Sequence, residues 1–200
     1  MTTLADFRKA LLGNDFLVLD SETTGLERGE VVQIAIINNK GETLLDTLVK
    51  PAWDIPAAAT MIHGIKTETC NDAPTWMDIA PTIKTILEGK LLVVYNANYD
   101  RKIMHQTAER WGLPKTEWKE ISTWLCAMDA FAEHFGEWND YHQSYRWQRL
   151  SFAAKYCKVT VADAHNALGD CKMALGVTKH MLEYDLSVPS EADGGDDETD

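Results

Sequence analysis

Asp20 and Glu22 stand one residue apart in LDSETTGL (19–26), at the end of the apolar run 16–19. If that run is a strand, side chains at i and i+2 share a face. Two carboxylates there repel each other and lose hydration when partly buried. A divalent cation relieves both costs, because Mg²⁺ and Mn²⁺ prefer oxygen ligands, often one or two carboxylates with waters and a substrate phosphate. The stretch is also compatible with a plain turn, in which Asp20 caps a loop and Glu22 meets water. Asp100 ends a second stretch, YNANYD (95–100), just past another apolar run and at the start of a helix. It could join the first pair or simply suit the helix dipole. Asn96 could orient a ligand or close the turn. In DAHNALGDCKMAL (163–175), His165 and Asp170 lie five apart. Ala167, Leu168, Cys171, Ala174 and Leu175 form an apolar stripe with Asp170 beside it. A carboxylate directed at a core is costly without a partner. A histidine with an ordinary pKa of about 6.5 could serve as a general base. The plainer alternatives are a surface histidine and a solvated helix acid.

These residues can meet only if the elements carrying them converge. FLVLD (16–20) reads as a strand buried on both faces. The runs 30–38 and 43–51 are further strands, and the turn NKGE (39–42) makes them a hairpin. Residues 55–65 read as a short helical turn and loop. Asp72 is positioned to cap a helix running to about Glu88, ahead of Gly89. LLVVYNAN (91–98) is a fourth strand with its loop, and a helix spans about 99–111. A short strand over 118–122 and a helix over 123–135 follow. An aromatic polar loop spans 136–147, a helix about 148–157, and a last helix runs from near Asp163 to about Glu183. Early strands and later helices around a mixed sheet give an α/β fold.

Hydrophobic residues make up 45% of the 200 and charged residues 25%, enough to fill a core. No run of about 18 apolar residues exists, so no membrane span is expected. The N-terminal stretch lacks an apolar core and does not read as a signal peptide. The four cysteines are scattered without a C-x-x-C pair, which reads as reduced thiols in a cytoplasmic protein. The net charge is −12, and the last ten residues hold six acids and no base. The expected organisation is one domain over 1–186 followed by an acidic, disordered tail over 187–200. An acidic domain argues against a broad electrostatic grip on duplex DNA. It does not exclude nucleic acid, because bound divalent ions reverse the local charge.

In order, DSETTGL, NANYD and HNALGD resemble the DEDDh 3′→5′ exonucleases, the group with the polymerase III proofreading subunit, exonuclease X and phage enzymes. The resemblance covers about residues 15–183 and includes the H-G-I segment within MIHGIKTETCNDAPTW (61–76). It implies a ribonuclease H-like fold, a mixed five-stranded sheet flanked by helices. It implies that Asp20, Glu22, Asp100 and Asp170 hold two Mg²⁺ or Mn²⁺ ions, with His165 as general base. Two ions suit phosphodiester cleavage, which needs an activated water and compensation at the leaving oxygen. Thr23, Thr24 and Gly25 match the segment that meets a 3′-terminal nucleotide. Leu26 and His63 match positions near the terminal base and sugar, with core packing and a loop hydrogen bond as their plainer roles; Asn96 joins the substrate contacts. Ser21 stands where the family often has Thr or Ile and is expected to face away from the metals. The D-T pair common after the second carboxylate is Ser122-Thr123 here.

The implied activity is metal-dependent 3′→5′ release of nucleoside 5′-monophosphates, mainly from single-stranded DNA. A 3′→5′ exoribonuclease and a non-catalytic nucleic-acid-binding subunit are the alternatives. Implied partners are DNA or RNA 3′ ends, with a homodimer or a replication polymerase as protein partners. The aromatic loop has no clear family equivalent. Its rings could stack single-stranded bases, but the favoured expectation is a hydrophobic plug over the C-terminal helices. Lys66, Arg101, Lys102, Arg146 and Arg149 could meet phosphates, with ordinary solvated surface residues as the plainer reading.

Overall fold

Strands form where the apolar runs lie, and together they build the mixed sheet of a ribonuclease H-like fold. The computed structural model describes residues 2–160 and 166–183. β1 (Phe16–Thr23), β2 (Val31–Asn38) and β3 (Thr43–Leu48) are the expected antiparallel meander. β4 (Leu91–Val94) and β5 (Thr123–Cys126) join in parallel, giving the order β3-β2-β1-β4-β5. β1 is therefore central, hydrogen-bonded on both sides.

Helices cover both faces of the sheet. α1 (Leu4–Leu11) starts at Thr3, whose hydroxyl accepts from the Asp6 N–H at 3.1 Å. α2 (Ala57–His63) is short, and α3 (Trp76–Leu87), α4 (Ala97–Arg110) and α5 (Trp118–Ile121) follow. α6 (Ala127–Phe135) leads into a two-stranded ribbon of β6 (Trp138–Asn139) and β7 (Ser144–Tyr145), then α7 (Leu150–Tyr156) and α8 (Ala167–Glu183). On one face Phe16 and Val18 pack with Phe7, Phe131, Ala153 and Met181, from α1, α6, α7 and α8. On the other, Leu17 and Leu19 pack with Trp76, Ile83, Ile103 and Trp118. Fully burying one such large side chain contributes about 1.5–3 kcal/mol. α8 packs closely on the segment after α7: a Cβ on Gly176 would lie 2.6 Å from Val159 Cγ1, so a larger residue there would have to displace that side chain. Among the described residues no helix is long and apolar enough to cross a membrane.

Several boundaries differ from the sequence expectation for identifiable reasons. The expected strand 118–122 is the helix α5, and the strand lies at 123–126. Parallel pairing of Leu91 with Thr123 sets that register, while Trp118 is buried beneath and its carbonyl accepts from Trp124 Nε1 at 3.0 Å. α3 is capped by Thr75 rather than Asp72, because Asp78 closes a capping box, accepting from both the N–H and the hydroxyl of Thr75. α4 starts at Ala97, two residues before Tyr99. β3 ends at Leu48, and Lys50 makes an isolated bridge to Thr75. α8 starts at Ala167, because the Asn166 side chain accepts from the Gly169 N–H at 2.8 Å and serves as cap. His165, Asp163 and the expected acidic tail lie outside the described residues.

Candidate active site

Strand alternation decides which acids can meet. Asp20 and Glu22 continue the face of Phe16 and Val18, toward α8. α8 lies across β1 and β2, tied by Cys171, whose thiol points to the Val18 and Ala35 carbonyls. One turn into α8, Asp170 faces the end of β1. The structure thus gathers Asp20, Glu22 and Asp170, each half-buried, with one carboxylate oxygen of each lying within 4.8 Å of the others.

Asp100 comes from the opposite side. Asn96 begins α4, and Asp100 stands in its first turn, where the Asp100 N–H donates to the Asn96 carbonyl. Its side chain is buried and lies outside the trio's 4.8 Å group, yet its charge is felt by both Asp20 and Glu22. Ser21 holds it: the Ser21 hydroxyl donates to Asp100 Oδ1 at 2.7 Å. Ser21 does point to the sheet face opposite Asp20 and Glu22. There it meets Asp100, a partner that the sequence expectation did not name.

Burial, joined by charge repulsion at Asp20 and Glu22, raises Asp20, Glu22 and Asp100 above the usual carboxylate range. Asp20 is raised strongly, first by burial and then by the charges of Asp100, Asp170 and Glu22. Glu22 is pushed up to about 7, by burial and then by Asp170 and Asp100. Asp100 is also pushed up to about 7 by burial, with the Ser21 hydroxyl pulling the other way. Such a set of hard oxygen donors fits a divalent cation, which would restore the ionised forms.

A carboxyl whose pKa is raised by folding adds stability below its unfolded pKa and loses it as pH rises through the folded value. Metal-free protein should therefore lose stability from about pH 4.5 through about pH 7, on the order of a few kcal/mol. Thermal melts in chelator should fall across this window, and added Mn²⁺ or Mg²⁺ should raise the melting temperature most at its upper end. Ser21→Ala removes the donor that lowers Asp100 and should carry the fall to higher pH. Melts independent of pH, or no metal response near pH 8, would contradict the assignment.

Beside the acids opens a cleft of about 520 Å³. One wall is Thr23, Thr24, Gly25 and Leu26, and the other is α2, with Ala59, Ile62 and His63. Asn96 and Tyr99 line the floor. Leu26 is 74% exposed, so core packing is not its role. Ile62 beside it is 68% exposed. His63 Nδ1 accepts from the Ile65 N–H at 3.0 Å, which leaves the proton on Nε2, directed at the Thr23 carbonyl 3.3 Å away. Partial burial lowers its pKa. Thr24 binds Glu30 twice: its N–H donates to the Glu30 carbonyl and its hydroxyl accepts from the Glu30 N–H, both at 2.9 Å. That loop returns so closely that a Cβ on Gly29 would lie 2.0 Å from the Gly25 carbonyl oxygen.

Sequence reasoning missed Tyr99. Its hydroxyl lies 2.7 Å from Thr23 Oγ1 and 3.3 Å from the Gly25 carbonyl, so it braces the TTG wall from α4. The available signal was a tyrosine directly before the helix acid in YNANYD. Arg101, one of the basic residues that could meet a phosphate, donates to Asn98 Oδ1 at 2.7 Å and lies over the Trp124 ring. The expected aromatic plug is also overturned: Trp138, Tyr141, Tyr145 and Trp147 are exposed.

Comparison with known proteins matches residues 17–178 to a family model described as an exonuclease, RNase_T. An exonuclease of Escherichia phage 186, CP81, itself described as uncharacterized, is 40% identical over 181 residues, 88% of this chain and 92% of that protein. A PolC-type DNA polymerase III of Caldanaerobacter subterraneus subsp. tengcongensis is 27% identical over 180 residues, 88% of this chain and 12% of that much longer protein. Exonuclease X, solved with 5′-overhanging duplex DNA, superposes with a TM-score of 0.60 and 25% identity over 83% of this chain and 90% of that one.

Proposed function

The chain belongs to the RNase_T exonuclease family, and from that premise we propose that it removes nucleotides one at a time from the 3′ end of single-stranded DNA. The observation that carries this reading is that Asp170, far along the chain, meets the pair Asp20 and Glu22 within 4.8 Å beside an open cleft. Asp20, Glu22, Asp170 and the Ser21-held Asp100 would hold two divalent ions, Mg²⁺ or Mn²⁺. Such ions supply Lewis acidity that acidifies an attacking water and stabilises the leaving oxygen.

The remaining tasks fall to the chain's own residues. Thr23, Thr24 and Gly25 offer backbone and hydroxyl groups to the terminal 3′-hydroxyl and sugar, with His63 and Asn96 beside them. Leu26 and Ile62 supply apolar surface to the terminal base. His165 takes the proton of the water that attacks phosphorus. The bond to the preceding 3′-oxygen breaks, giving a nucleoside 5′-monophosphate and a strand shortened by one residue.

DNA is favoured over RNA because exonuclease X was solved with DNA and the PolC relative is a DNA polymerase. The latter also makes a replication polymerase a reasonable protein partner. Four free, buried cysteines fit a reducing, cytoplasmic compartment. The test is incubation of 3′- and 5′-labelled DNA and RNA oligomers with Mg²⁺, Mn²⁺ or chelator. Mononucleotide should leave the 3′ end of DNA, only with metal, and more slowly from RNA. Release from the 5′ end, or none with either metal, would overturn the reading. Faster release from RNA would make the protein an exoribonuclease.

A further inference from the structure

The ribbon β6–β7 carries an aromatic surface that the cleft does not use. Trp138 is 47% exposed, Tyr141 89% and Trp147 61%. So many large rings left in water within ten residues mark an interaction surface. Beside them lies a cleft of about 750 Å³, lined by Asn139, His142, Tyr145, Arg146 and Trp147. It is larger than the cleft beside the carboxylates.

The ribbon is a preformed platform. The Arg146 N–H donates to the Glu137 carbonyl at 2.8 Å, and the Arg146 guanidinium pairs with the Glu137 carboxylate at 3.2 Å. Gln148 donates to the same carboxylate at 3.0 Å. Asn139 Oδ1 accepts from the N–H groups of Tyr141 and His142, which fixes the turn. Trp138 and Tyr145 meet edge to face with centroids 5.1 Å apart. One end is anchored at the catalytic edge of the sheet: the Tyr95 hydroxyl donates to the Gln148 carbonyl at 2.8 Å. Tyr95 directly follows β4, the neighbour of β1, and precedes Asn96 on the floor of the carboxylate cleft.

We propose that this ribbon is a docking surface for single-stranded nucleic acid on the 5′ side of the terminal nucleotide. Trp147, Tyr145 and Tyr141 would stack successive bases, and Arg146 and His142 would meet phosphates. The proposal rests on the 3′-exonuclease reading for the strand's direction, but not for its chemistry. Continuity favours bases over a protein partner: through Tyr95 and the adjoining Asn96 the ribbon is tied to the cleft beside the carboxylates, and Tyr145 and Trp147 stand with Arg146 around one groove. Every base offers a π face, so such a platform holds strands of any sequence. It also lets an acidic chain hold a strand without a wide basic groove.

The test uses Tyr141→Ala with Trp147→Ala, two exposed positions whose loss should leave the melting temperature unchanged. Both are placed in an Asp20→Asn background so that the strand is not consumed. Fluorescence anisotropy compares 5′-labelled oligothymidylates of about 4 and about 20 nucleotides, and the parent protein should bind the longer one at least about ten-fold more tightly. The double replacement should weaken the long strand roughly ten-fold per lost ring and so remove that advantage. An undiminished length advantage, no advantage in the parent, or equal weakening of both lengths would overturn the proposal. So would an unchanged DNA affinity with a shifted sedimentation coefficient, which would assign the surface to a second copy of the chain. If the ribbon variant loses the advantage but the wild type releases no nucleotide, the catalytic reading fails and the docking surface stands.

Discussion

Asparagine in place of Asp20 is expected to cut nucleotide release at least about a thousand-fold, equivalent to about 4 kcal/mol of barrier. It should do so while leaving the metal-free fold as stable as before, or more so. The two effects have one cause. Asp20 is half-buried beside Asp100, Asp170 and Glu22, and its carboxyl is raised strongly, first by desolvation and then by those charges. A neutral amide of the same shape removes the repulsion and also removes a charge needed to hold the ions. Activity and stability then move in opposite directions, as expected where a strained site is kept for function. Asp170→Asn should behave in the same way. The checks are release from a 3′-labelled oligomer and thermal melts in chelator. A near-wild-type rate would remove Asp20 from the site, and a collapsed melt would make it a structural residue.

Replacing His165 by alanine is expected to lower the rate about 10²- to 10⁴-fold, the usual contribution of a positioned acid or base. Metal affinity and strand affinity should stay close to wild type. The separation follows from the assigned role, since a base touches the attacking water rather than the ions. The wild-type rate should rise with pH through the titration of an imidazole, ordinarily about 6.5, and that rise should vanish in the variant. Calorimetric titration with Mn²⁺ distinguishes the outcomes. A collapse of metal affinity would make His165 a ligand, and an unchanged rate would leave the reaction without its proposed base.

The features legible in the sequence were those with short-range signals. FLVLD and LLVV announced buried strands because both faces of each are covered, and LDSETTGL placed two acids on one face by alternation alone. The hairpin at 39–42 and the stripe of α8 were equally local. The errors came from long-range constraints. Nothing within 118–126 says that Thr123 must pair with Leu91, so the strand was placed five residues early. The bond from Ser21 to Asp100 was not legible because the two are 79 positions apart. The aromatic loop was expected to form a hydrophobic plug over the C-terminal helices, with base stacking as the alternative. The structure instead forms a ribbon tied by Glu137, and the rings remain outside.

The central position of β1 has a consequence for how the molecule opens. Free energies of local opening range from near zero at lightly packed segments to the global value in the core. Asp20 and Glu22 belong to the strand that is hydrogen-bonded on both sides and flanked by both large cores. The facing wall, α2, rests on a small separate cluster of Val32, Ile55, Ala59, Ile65 and Cys70. Amide exchange should thus be slowest over Leu17–Leu19, paired on both sides directly before the acids, and fast across α2. The site has one wall that can breathe to admit a strand end and one that keeps its geometry until the whole domain unfolds.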